Sequence, residues 1–123
     1  FFKAVPKEFN VIVGTASALL PALKIGIRSA IPALANAAPN HCAHVQRYFE
    51  EGLVQRAEEL QQRLTPVNTA VTATYGVAGL KHACTLMGYQ GGHVRSPLLP
   101  LKEGEKSEVR KIFSDCGLLP PDN

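Results

Sequence analysis

The spacing of apolar positions changes character once along this chain. Phe9-Asn-Val-Ile-Val-Gly14 is a β-branched run closed by glycine, which predicts a fully buried strand. Thr15 and Ser17 can cap a helix through Ile25, with Gly26 as its stop. Pro21 falls near the first turn, where a missing N–H does least harm. Arg28–Leu34 predicts a second strand, about seventeen residues after the first, the length of a right-handed strand–helix–strand crossover. Pro32 inside it cannot donate to a ladder and belongs at a strand end or edge.

From Pro39 the period becomes helical. A helix opening at Pro39 or Asn40 carries His44, Val45, Tyr48 and Phe49 and is stopped by Gly52. Leu53, Ala57, Leu60, Leu64, Val67 and Val71 follow spacings of three and four, a long amphipathic stripe ending near Gly76. Pro66 should kink it, and Glu59 and Arg63 are set to pair at i, i+4 on its solvated side. Gly79–Met87 predicts a shorter helix ended by Gly88, and Gly91–Pro100 a connection. A last helix, Glu105–Cys116, carries Val109, Ile112 and Phe113 on one face, with Gly117 beyond its end.

The layout is β-α-β-α followed by three helices, an α/β class that is mostly helical. Two parallel strands do not make a viable sheet, because buried parallel strands need neighbours on both sides and helices over both faces. The chain opens Phe1-Phe2-Lys3, and Met87 is its single methionine. Both features create the expectation that an N-terminal part of the fold precedes residue 1.

Composition narrows the class. Of 123 residues, 46% are apolar and 19% charged, which is globular rather than disordered or fibrous. Residues 1–49 carry five basic residues against Glu8 alone, while residues 50–123 are close to neutral. Those basic residues are scattered and lack interleaved aromatics, so nucleic-acid binding is not expected. Cys42, Cys84 and Cys116 are odd in number without CxxC spacing, which fits reduced thiols in a cytoplasmic or mitochondrial compartment. The apolar, uncharged stretch Phe9–Leu23 is shorter than the about 20 apolar residues a membrane span needs. No signal peptide is visible, and the chain reads as soluble.

Candidate chemistry is sparse. No Asp or Glu lies between Glu8 and Glu50, or between Glu59 and Glu103, so paired-carboxylate catalysis lacks material. His41-Cys42-Ala43-His44 resembles a metal-ligand spacing, but His82, Cys84, His93 and Cys116 offer no matching pair, and no metal is expected. No GxSxG elbow exists, and Gly88-Tyr-Gln-Gly-Gly92 follows a helix, so it reads as a turn rather than a phosphate loop. The informative positions are the strand ends. In a barrel of parallel strands the active site lies at their C-terminal ends, here Gly14 and Ile31–Asn36.

Val13-Gly-Thr-Ala16, Gly26-Ile-Arg-Ser-Ala-Ile31, Leu34-Ala-Asn36, Tyr75-Gly-Val-Ala-Gly-Leu-Lys81 and Gly88-Tyr-Gln-Gly-Gly-His-Val-Arg-Ser-Pro-Leu98 resemble the dihydrodipicolinate synthase / N-acetylneuraminate lyase family. Each motif is soft, but their order and spacing are specific, in register from Phe9 to Leu119. The resemblance implies a Schiff-base (class I) aldolase on a (β/α)8 TIM barrel with an extra C-terminal helical subdomain. Residues 1–52 would be the last two βα units of that barrel, and residues 53–123 the C-terminal three-helix subdomain.

Family members bind pyruvate or another 2-oxo acid as an imine on a lysine ending strand six, with a tyrosine and a hydroxyl pair moving protons. By that resemblance the lysine belongs upstream of Phe1. Lys3 and Lys7 precede strand seven, and Tyr48, Tyr75 and Tyr89 do not match the catalytic tyrosine. No catalytic residue is therefore expected in this chain. What carries over is Gly14 and Ile31, matching positions whose backbone lines the pyruvate pocket. Pro32 stands where many relatives have Ser or another small residue. Leu34-Ala-Asn36 and Gly88–Leu98 look more like the 4-hydroxy-2-oxoglutarate aldolase branch, which cleaves its substrate to pyruvate and glyoxylate. The resemblance also implies a homotetramer and no cofactor. The reading from a different class is a non-catalytic helical association module, in which the Leu53–Val71 stripe packs on another chain.

Overall fold

The computed structural model describes residues 2–119. Phe1 and residues 120–123, at the outer ends of the two expected segments, lie outside the described residues. Two short strands, β1 (Ile12–Val13) and β2 (Ser29–Ala30), pair in parallel with Ile12 opposite Ser29 and Val13 opposite Ala30. The Ile31 N–H extends the ladder by donating to the Val13 carbonyl at 2.8 Å. Between the strands, the Thr15 hydroxyl accepts the Ser17 N–H at 3.4 Å and opens a 3-10 turn, Ala16–Ala18. That turn leads into helix α1 (Leu19–Lys24), which ends before Gly26 at φ 99°.

Both strands are shorter than the sequence predicts, and the first is not fully buried. Phe9 is 56% exposed and Ile12 49% exposed. Each strand has one paired edge among the described residues, so the second edge and one face of this apolar run lack cover. In the second run, Pro32 has no N–H to continue the ladder, and Ala33–Asn36 curls into a 3-10 turn instead. Asn36 Nδ2 closes that turn on the Ala33 carbonyl at 3.0 Å.

Helix α2 (Pro39–Glu50) places proline in its first turn and ends before Gly52 at φ 76°. Helix α3 (Val54–Thr69) buries Ala57, Leu60, Leu64 and Val67, and Val71 extends the same stripe. Pro66 lies inside α3, and four residues on the helix widens into a π turn, Ala70–Thr74, closed by Tyr75 N–H on the Ala70 carbonyl at 2.9 Å. Hydroxyls of Thr65, Thr69 and Thr72 donate back to carbonyls four residues earlier along this stretch. Helix α4 (Gly76–Leu86) and helix α5 (Glu103–Asp115) complete the chain.

One expected contact is replaced. Glu59 does not pair with Arg63; it accepts the Gln55 amide at 3.3 Å. The Arg63 guanidinium reaches across to α5, donating to the Cys116 carbonyl at 2.8 Å and to Gly117 at 2.9 Å. Two fixed carbonyls at a helix C-terminus, where the macrodipole is negative, hold a guanidinium fork better than one flexible solvated carboxylate.

A single buried cluster joins Leu34, from the turn after β2, with Val45 of α2, Leu64 and Val67 of α3, and Val109 and Phe113 of α5. The α3 stripe is thus spent on this chain's own core.

Candidate functional site at the strand ends

The C-terminal ends of β1 and β2 meet where Gly14 and Ile31 emerge. A side chain built on Gly14 would meet no heavy atom within 4 Å, and Ile31 is 74% exposed. The Ile31 N–H is spent on Val13, so the group its main chain has left to offer a ligand is its carbonyl. This rim is main chain, a glycine and an exposed aliphatic side chain, without a titratable group of its own.

The rim is held from behind by α3. Asn68 is 3% exposed, and its Nδ2 donates to Thr15 Oγ1 at 3.0 Å and Ser17 Oγ at 2.9 Å. Its Oδ1 is buried without a partner among the described residues. Turning the amide over would let the oxygen accept both hydroxyl protons but would strand the NH₂ instead, so either orientation leaves one amide atom unpaired. Two turns earlier, Gln61 donates to the Ala16 carbonyl at 2.9 Å and accepts the Leu20 N–H at 2.9 Å. Sequence reading passed over both residues. The available signal was a pair of amides, at 61 and 68, inside an otherwise apolar stripe.

Behind the strand pair, a cavity of about 220 Å³ is lined by Val13, Leu23, Ile27, Ala30, Pro32 and Cys42 among others. Burial pushes the Cys42 thiol up to about 11, so it stays protonated and a poor nucleophile at neutral pH. Burial also raises Cys84 and Cys116 above the ordinary thiol value.

The His41–His44 pair lies on α2, with the His44 ring stacked on Tyr48 at 5.7 Å. Among the described residues, no three His, Cys, Asp or Glu side chains come together in a metal-binding group. Lys3 and Lys7 lie on the segment that enters β1 from its N-terminal end, the end opposite Gly14. Lys24 pairs with Glu58 at 2.7 Å, and Lys81 donates to the Gly91 carbonyl at 3.0 Å. No helix of the described residues is long and apolar enough to cross a membrane.

A sequence model of the dihydrodipicolinate synthetase family matches residues 1–116. The chain is 32% identical over 113 residues to a 4-hydroxy-tetrahydrodipicolinate synthase of Gluconacetobacter diazotrophicus, covering 92% of this chain and 38% of that protein. It is 35% identical over 114 residues to the enzyme of the same name from Neisseria gonorrhoeae, covering 93% and 39%. The crystal structure of a dihydrodipicolinate synthase from Bacillus anthracis superposes with a TM-score of 0.84 at 25% identity, over 92% of this chain and 39% of that one. The chain thus spans about two fifths of the length of these relatives.

Proposed function

Because the chain belongs to the dihydrodipicolinate synthetase family of lyases, we propose that it is the C-terminal part of a Schiff-base lyase. Such an enzyme cleaves, or in reverse condenses, a pyruvate-type 2-oxo acid and an aldehyde. Residues 1–52 supply the last two βα units of its barrel, and residues 53–123 its C-terminal helical subdomain. The observation that carries this reading is the bare rim, where Gly14 and Ile31 offer backbone to a ligand and no side chain there can react.

In this reading Gly14 and Ile31 line the pocket for the 2-oxo acid through main-chain atoms. The reacting groups come from upstream of Phe1. A lysine amine there condenses with the 2-oxo carbonyl, releasing water, and the protonated imine takes up the electron pair of the breaking C–C bond. The 4-hydroxy-2-oxoglutarate branch, yielding pyruvate and glyoxylate, is the member favoured by Leu34-Ala-Asn36 and Gly88–Leu98. A homotetramer in a cytoplasmic or mitochondrial compartment completes the proposal.

Borohydride trapping tests it. Treated with pyruvate and borohydride, residues 1–123 alone should keep their mass, while the longer natural protein should gain one reduced adduct on a lysine outside these residues. An adduct on Lys3 or Lys7 would overturn the assignment, as would a longer protein that traps none.

A further inference from the structure

Helices α2 and α3 enclose an open groove of about 380 Å³ that shares no residue with the strand-end rim. Its polar lining is His41, His44, Tyr48, Arg56, Glu59 and Arg63. Two guanidiniums, two imidazoles and a phenol therefore face one carboxylate.

The cationic side of this groove is built rather than loose. Arg63 is locked by the Cys116 and Gly117 carbonyls at 2.8 and 2.9 Å, which leaves three of its five N–H donors for another acceptor. Arg56 sits seven residues earlier on the same helix face, about 10 Å away along the axis, within reach of two long side chains converging on one ligand. Among the described residues Arg56 has no hydrogen-bonding or ionic partner, and Glu59 is turned to Gln55 rather than to either arginine. His44 is braced by its stack on Tyr48.

We propose that this groove binds a phosphoryl dianion, either inorganic phosphate or a small phosphomonoester, between Arg56 and Arg63, with His41 and Tyr48 as further donors. Planar guanidiniums match the phosphate oxygens in geometry, and paired arginines neutralise a dianion where one would not. The field in the groove points the same way. His41 is held below its ordinary pKa by burial, then by the Arg63 charge, then by His44, and a bound dianion would reverse the electrostatic part of that shift.

The test is a histidine NMR titration of the natural full-length protein with inorganic phosphate and, separately, glycerol phosphate. Saturable shifts of His41 and His44, with the His41 pKa rising, are expected for a site on the order of 1 mM or tighter. Tighter binding of glycerol phosphate would make the ligand a phosphorylated metabolite, and equal binding would make it free phosphate. Chloride at matched ionic strength should leave both signals in place, since screening alone is not site-specific. R56Q, at an exposed and unpartnered position, should keep the fold and weaken phosphate binding about tenfold. R63K, which keeps the charge and loses the fork, should weaken it as well. No saturable shift, an equal response to chloride, or undiminished binding by R56Q would each overturn the proposal.

Discussion

Gln61, on α3, donates its side-chain amide to the main-chain carbonyl of Ala16 at 2.9 Å, in the turn that leaves β1. The same side chain accepts the N–H of Leu20, so one buried amide satisfies two main-chain groups at the start of α1. The Leu20 N–H has no intrahelical acceptor at a helix start, whereas the Ala16 carbonyl also accepts the Leu19 N–H. The geometry of the strand-end rim thus depends on a residue 45 positions further along the chain.

Replacing Gln61 by Leu should keep the side chain's bulk and strand the Leu20 N–H, while the Ala16 carbonyl keeps the Leu19 N–H. A loss of about 1–3 kcal/mol is expected from leaving that buried donor unpaired. Urea unfolding followed by circular dichroism measures it, and a cost near zero would mean that water replaces the amide.

Gly117 adopts φ 71°, and a Cβ there would come 2.8 Å from Arg63 Nη2. Gly117→Ala should therefore cost about 1–2 kcal/mol for the left-handed backbone alone. It should cost more if the Arg63 fork is displaced from the end of α5. A double-mutant cycle with R63Q separates the two effects, because only the second disappears when Arg63 is already gone.

His41 and His82 are both held below their ordinary pKa, in each case first by burial. The unfolded chain therefore takes up these protons at a higher pH than the fold does. Stability should be fully present above the unfolded value of 6.5 and should fall as pH drops below it through the lowered folded values. Denaturant midpoints between about pH 8 and pH 5 test this. H41Q should flatten part of the slope.

Gly14→Ala separates pocket from scaffold. The added methyl meets no heavy atom within 4 Å, so the stability of this chain should stay within about 0.5 kcal/mol of its parent. If Gly14 lines the 2-oxo acid pocket, pyruvate trapping by the longer protein should nonetheless slow, by about tenfold for a misplacement worth 1.4 kcal/mol. Unchanged trapping would remove Gly14 from the pocket.

Local signals in the chain accounted for most of the helical layout. Gly26, Gly52, Gly76, Gly88 and Gly117 all take positive φ, at the stops expected of them, because the reason lies in the residue itself: it has no Cβ to clash. From Ala57 on, the stripe Leu60, Leu64, Val67 and Val71 is buried as its spacing requires, since a helix repeats every 3.6 residues whatever it packs on, but Leu53, its expected first member, precedes α3 and is exposed. The residues at the strand ends, Gly14 and Ile31, were likewise placed by order along the chain.

Other features depended on distant parts of the chain. Whether Arg63 meets Glu59 or the end of α5, and whether Asn68 faces solvent or grips Thr15 and Ser17, turns on partners about 50 residues away. Strand length was equally illegible, because a ladder ends where its partner does, and Pro32 on one strand stops both. Periodicity and glycine placement are properties of the local chain, so the sequence settled them unaided. The pairing of buried polar groups is decided only when the core has brought distant elements together and removed the water that would otherwise satisfy them.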